Sequence, residues 1–299
     1  MDNICYKIMK IDITNDSKAK FLMIISSLSF SIMASFVKAT SHPVAIKALS
    51  RQVISCIFIS SIIFISNTRI IPLKKNRIKL LLRCLFGSVG IYLYFYSIDN
   101  LLLANASILT RLSPFFVTLF AFLLLKESVN RLNWVIFIPM IIGCVLIIKP
   151  NSNLFHPASI FAVLSAISGA LAYTMIKSIG KDEAAYTIIF WFTLISSVLY
   201  SMIAGKQLLR LNDIEYLNLI MIGVLGLIGQ IGLTLSYQLS KASNVAPYSY
   251  FYIIFAGLIG YYLWNEIPDT LSIFGYGLII SSYFFLIRLN KSTSPTLPS

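Results

Sequence analysis

Charge is what this 299-residue chain has least of. Asp, Glu, Lys and Arg make up 12% of it against 58% hydrophobic residues, with a mean hydropathy of +0.83. Soluble chains run nearer half apolar and about a quarter charged, so a soluble domain is excluded. Barrel strands, which alternate apolar and polar residues over about ten positions, are not found either. Catalytic signatures are missing too: there is no His-Glu-x-x-His and no Gly-x-Ser-x-Gly, and no carboxylates are paired within an apolar run. The two histidines, His42 and His156, fall between the runs. Four scattered cysteines (Cys5, Cys56, Cys84, Cys144) offer neither metal spacing nor a disulfide framework. Neither an enzyme nor a cofactor nor a metal is therefore expected, and without an ATP-binding motif no direct ATP drive is expected.

What the chain does have is long apolar runs separated by short polar connections, the pattern of a polytopic helical membrane protein. The rule of about 20 residues per crossing predicts ten spans, near 20–38, 44–66, 79–98, 101–125, 132–148, 157–177, 184–204, 215–237, 243–264 and 270–288. Residues 1–18 are polar, carry Lys7, Lys10 and Lys18, and end in no cleavage-site pattern, so they read as a cytoplasmic tail. With that end inside, sixteen Lys and Arg fall on the cytoplasmic side, six fall outside, and Arg83 and Arg111 lie within spans. That bias predicts that both termini are cytoplasmic. The net charge of +13 sits mainly in these loops, so no soluble basic face exists for a nucleic acid.

A shift of 139 positions lays the first half of the chain on the second. Lys38 falls on Lys177, Gly87 and Gly90 on Gly226 and Gly229, Asn105 on Asn244, and Glu127 on Glu266. Five spans per copy is an odd number, so the second copy must enter the bilayer upside down. The expected fold is an all-α membrane protein of ten transmembrane helices, built as two inverted five-helix repeats. The organisation is a tail at 1–19, repeats at 20–150 and 157–289, and a second cytoplasmic tail at 290–299.

Arg111 is the sharpest single residue. It lies inside the fourth span, where an arginine costs about 2.5–3.5 kcal/mol on insertion scales unless it faces a partner or a wet cavity. Ser107, Arg111 and Pro114 share one helix face, and Pro114 frees a backbone carbonyl one turn earlier. The residues suit an anchor for a carboxylate; pairing with a neighbouring helix is the other reading. The shift carries Arg111 onto Tyr250, just beyond Pro247 in the ninth span. Interrupted helices at matching places in two halves point to a central transport site, although an interfacial aromatic belt is the competing reading for the tyrosines there. Tyr92 and Tyr96 form one stripe on the third span and Gln230 is a polar group at membrane depth; each is a candidate wall of a pocket or a helix-packing group. Glu127 and Glu266 are read as caps for the helices that follow them. Lys47 and Arg51, four apart, are read as snorkelling to the outer surface, with a basic vestibule as the alternative.

Ten spans as five plus five, both ends cytoplasmic, and a Glu after spans four and nine resemble the drug/metabolite transporter superfamily in its EamA branch. Ala246-Pro-Tyr-Ser-Tyr250 followed by Asn265-Glu-Ile-Pro-Asp269 is similar to S-adenosylmethionine uptake transporters of intracellular bacteria. The resemblance implies a central cavity between the halves, alternating access, and substrate contact by spans four and nine. The expected partners are a small-molecule substrate and the lipid bilayer, the chain acting as a monomer or homodimer. The function expected is secondary transport of a small polar metabolite, S-adenosylmethionine or a related amino-acid derivative leading. Export of drugs or amino acids, a membrane-embedded enzyme and a non-transporting subunit are the alternatives.

Overall fold

The computed structural model describes residues 2–126, 131–149, 155–205, 216–240 and 245–292. These are helical, with no strand among the described residues. In chain order the helices are α1 (Asp2–Ala39), α2 (Val44–Ser66), α3 (Arg77–Asn100), α4 (Leu103–Thr110), α5 (Ser113–Leu125) and α6 (Arg131–Ile148). They continue with α7 (Ala158–Ile179), α8 (Ala185–Ala204), α9 (Tyr216–Leu239), α10 (Phe251–Trp264) and α11 (Thr270–Ser292). A 3-10 turn, Ala246–Tyr250, leads into α10.

Proline sets two of these boundaries. Pro114 lies in the first turn of α5 and Pro247 in the first turn of the 3-10 segment, where a missing amide costs nothing. Pro114 therefore starts a helix rather than kinking one, and the break precedes it, at Arg111 and Leu112. Both broken segments end alike: Lys126 after α5 (φ 54°) and Asn265 after α10 (φ 49°) adopt the left-handed conformation and close their helices. Few residues other than glycine take that conformation, and these two stand 139 positions apart.

Among the described residues seven helices are long and apolar enough to cross a membrane, matching expected spans one to four and six to eight. The fifth and tenth expected spans are α6 and α11, with apolar stretches described at Ile138–Ile148 and Thr270–Ser282, and the ninth is divided by its 3-10 turn, which leaves α10 with 14 residues. Large apolar side chains face outward, Phe64 at 89% exposure and Ile267 at 76% among them. Lipid gives such a surface its cover. The chain is a multi-pass membrane protein.

The most extensive packing joins α3 to α7 and α1 to α9, two contacts that exchange under the 139-residue shift. Their hydrogen bonds exchange as well. Ser26 Oγ donates to the carbonyl of Gly229 at 2.6 Å, and Ser165 Oγ to that of Gly90 at 2.7 Å. Lys38 Nζ donates to the carbonyl of Leu101 at 3.1 Å and Lys177 Nζ to that of Ser240 at 3.4 Å. Glycine allows the approach: a β-carbon on Gly90 would stand 3.3 Å from the backbone nitrogen of Gly169.

Two sequence readings change here. Glu266 does cap a helix, but not the one that follows it. Its buried carboxylate accepts from the amide of Leu103 at 2.6 Å, at the start of α4 in the other half, and pairs with Lys38. The following helix, α11, is capped by Asp269, which accepts from the amide of Ser272 at 3.1 Å. Glu127 lies outside the described residues. Lys47 and Arg51 do not snorkel either: they are 2% and 3% exposed. Lys47 reaches Asp99 at 2.7 Å, and Arg51 turns inward where Gly226 leaves room for it.

Candidate functional site

A cavity that is partly open to solvent lies between the two halves. From the first half come Phe30 and Met33 of α1, Arg51 of α2, the face Arg83, Gly87, Gly90, Ile91, Tyr94 and Phe95 of α3, and Thr110, Arg111 and Ser113 at the α4–α5 break. The second half supplies Ser165, Gly169, Ala172 and Tyr173 of α7, Phe192 of α8 and Gln230 of α9.

Three guanidinium groups thus face one cavity, each seated on an aromatic ring. Arg111 lies 3.9 Å above the centroid of Tyr252, Arg83 3.9 Å above Phe192, and Arg51 5.8 Å from Phe30. Rings of this kind attract a cation through their quadrupole and fix its plane. Two glycines make the space. A β-carbon on Gly226 would stand 2.8 Å from Arg51 Nε, and one on Gly87 would run into the Arg83 guanidinium and stand 2.7 Å from Phe192. Arg51 also donates to Gln52 Oε1 at 3.2 Å, while the Nε atoms of all three arginines are buried and have no hydrogen-bond partner among the described residues.

Among the described residues no carboxylate lies in the cavity wall. Several are engaged elsewhere: Asp16 with Lys20, Asp99 with Lys47, Asp182 with Lys75, Glu266 with Lys38 and Asp269 with Lys149. Glu183 accepts from the Leu73 amide at 2.7 Å and from Asn76 at 3.0 Å. Among the described residues no cluster of His, Cys, Asp and Glu is placed to hold a metal ion.

Of the residues singled out from sequence, the cavity brings together Arg111 and Gln230, whose amide nitrogen donates to Thr234 at 3.1 Å. Arg111 terminates α4, its amide bonded to the carbonyls of Ser107 and Ile108 at 3.2 and 3.1 Å. Ser107 and Pro114 are buried and are not among the residues that line the cavity, and Ser107 donates to the carbonyl of Leu103. Tyr250 packs in an apolar cluster with Ile108, Leu109 and Leu112. Pro247 opens the 3-10 turn. Tyr92 stacks on Tyr200 with centroids 6.5 Å apart, and Tyr96 meets Phe161 edge-on at 5.1 Å, both outside the cavity wall.

Sequence reasoning read Arg51 as a snorkelling cation, with a basic vestibule as the alternative, and did not make Arg83, Tyr94 or Tyr252 site residues. Tyr94 faces the cavity and its hydroxyl pairs with that of Tyr252 beneath Arg111. A usable signal was present for α3. Arg83, Gly87, Gly90 and Tyr94 follow helical spacing, so the stripe containing the intramembrane arginine was the one to follow, not that of Tyr92 and Tyr96.

The profile of the EamA-like transporter family matches residues 17–149 and again 156–288. The pseudopaline exporter CntI of Pseudomonas aeruginosa is 31% identical over 280 residues, covering 90% of this chain and 96% of the relative. Solute carrier family 35 member G1 of Homo sapiens is 28% identical over 88% of this chain and 76% of its own. The S-adenosylmethionine uptake transporter of Rickettsia felis is 23% identical, covering 90% and 91%. One crystal structure of a protein superposes with a TM-score of 0.67 at 14% identity, over 93% of this chain and 99% of that one, which is a likeness of fold.

Proposed function

This chain belongs to the EamA-like transporter family, and from that premise we propose that it is a secondary transporter moving a small polar metabolite through the cavity between its halves. Its relatives are named as transporters, and the chain is not an enzyme. The observation that carries the proposal is Arg111: an intramembrane arginine at a helix break, facing a cavity and held on the ring of Tyr252. Such a cation, within a membrane span and with no described carboxylate in the cavity wall beside it, is costly unless an anion visits it. In this reading residues 20–150 and 157–289 form two inverted five-helix repeats that open the cavity to each side in turn. The exchanged hydrogen bonds of Ser26 and Ser165 support that symmetry. The protein sits in a bacterial inner membrane with both termini in the cytoplasm, which the distribution of Lys and Arg supports.

S-adenosylmethionine, or a related amino-acid derivative, is the first substrate to test. Its carboxylate suits Arg111 and its sulfonium and adenine suit the tyrosine faces. Labelled S-adenosylmethionine is offered to cells that express the chain and lack their own route. Saturable uptake that disappears in Arg111→Ala, with the variant still in the membrane, supports the assignment; no uptake above the vector control removes this substrate. Export is the second reading, favoured by the 31% identity to the pseudopaline exporter. It is checked by loading the same substrate into inverted vesicles.

A further inference from the structure

The cavity holds more positive charge than one carboxylate answers. Arg51 and Arg83 are 3% and 2% exposed, and Arg111 joins them in the same wall. The polar groups opposite, Gln230 and Tyr173 among them, are neutral. A monocarboxylate leaves two guanidinium charges uncompensated in a medium of low dielectric, and S-adenosylmethionine adds an ammonium and a sulfonium to them. We infer that the substrate is a small organic polyanion carrying at least two carboxylate or phosphate groups, bound jointly by Arg51, Arg83 and Arg111. This rests on the transport reading above and sets a polyanion in place of the S-adenosylmethionine named there.

The geometry gives the three groups a shared task. Each guanidinium has a planar donor fork suited to two parallel hydrogen bonds with a carboxylate or phosphate. Each has an aromatic ring against one face, which leaves its edge for the ligand. Glycine at 87 and at 226 lets two of them lie flat against the helices instead of projecting across the cavity. Arg51 and Arg83 line the same wall, so an anion held by both offsets the charge of each. Two of the three rings, Phe192 and Tyr252, come from the second half, whereas all three cations come from the first. A bound polyanion therefore ties cations seated across the interface between halves.

Purified protein in lipid nanodiscs is melted at constant ionic strength with succinate, tricarballylate, 3-phosphoglycerate, lactate or S-adenosylmethionine. The inference expects a saturable rise in melting temperature with one or more of the first three and none with lactate or S-adenosylmethionine. The carboxylate-only compounds and the phosphate ester separate the two anion chemistries. Each of Arg51→Gln, Arg83→Gln and Arg111→Gln is expected to weaken that binding by about ten- to a hundredfold. Arg→Lys at the same positions, which keeps charge and fold, is expected to retain part of it. Unchanged affinity in the variants overturns the arginine assignment. A shift with lactate or S-adenosylmethionine and none with the polyanions overturns the polyanion while leaving the transport reading intact. No shift with any of the five overturns the polyanion as well; labelled uptake then decides the transport reading separately. Polyanion binding without movement into proteoliposomes leaves the substrate class standing and sinks transport.

Discussion

Arg51 and Arg83 occupy room that Gly226 and Gly87 leave open, so a methyl group on either glycine is a sensitive probe of the site. Gly226→Ala forces its β-carbon against the Arg51 stem, and overpacking of this kind costs about 1–3 kcal/mol. Gly257 in α10 has nothing within 4 Å of an added β-carbon, so Gly257→Ala is expected to be neutral or to gain up to about 1 kcal/mol of helix propensity. Melting of the two variants side by side checks the contrast, and equal behaviour would show that Gly226 makes no room for Arg51. The same glycines explain what was legible at this scale. Arg111 is conspicuous in sequence because its apolar surroundings are local. Arg51, near the start of an apolar run, reads as a surface cation until the partner helix that buries it is known. Tyr252 is missed for a different reason: a 3-10 turn advances 120° per residue rather than 100°, and Ala246–Tyr250 turns the following tyrosines to new faces.

Helices meet the other half of the chain at their ends. Glu266 bonds the first amide of α4 and pairs with Lys38, so α10, α4 and α1 are joined at one carboxylate. Glu266→Gln leaves Lys38 without its charge partner, and a loss of about 1–3 kcal/mol is expected. Adding Lys38→Met is expected to recover part of it, since residues in one network do not act additively. A cycle of melting measurements with strictly additive effects would show the two residues to be independent. Asp269 does a similar job at α11 with Lys149. Partial burial pushes its carboxyl up, but the hydrogen bonds from Lys149 and Ser272 outweigh that and hold it at about 2, below its ordinary 3.8. A carboxylate depressed in the folded state stabilises fully above its unfolded value, and the contribution is lost as pH falls from near 3.8 toward 2. Asp269→Asn should therefore lower stability at neutral pH and flatten the acid limb below about pH 4, with no change in slope above pH 5. Element lengths and both proline breaks were readable from apolar runs and Pro114 and Pro247. Which helix Glu266 caps was not, because that contact spans 163 residues.

At the scale of the whole molecule, orientation is the property most open to test. A fluorescent protein fused after Ser299 is expected to fluoresce, and alkaline phosphatase inserted between the halves, near residues 151–155, is expected to be active. The reverse pair of results would overturn the orientation drawn from Lys and Arg. The doubling of the chain was legible in its punctuation, in Lys38 with Lys177 and Gly87 with Gly226. The faces that line the central cavity were not, since they need α3 against α7 and α1 against α9 at once.

The halves have also stopped being equivalent. Under the 139-residue shift Arg51, Arg83 and Arg111 fall on Phe190, Ile222 and Tyr250, none of them basic. A pair of first halves would crowd six guanidiniums into one chamber, and a pair of second halves would offer none. One copy supplies all three cations and the other supplies two of the three rings beneath them, so neither half alone holds the complete set.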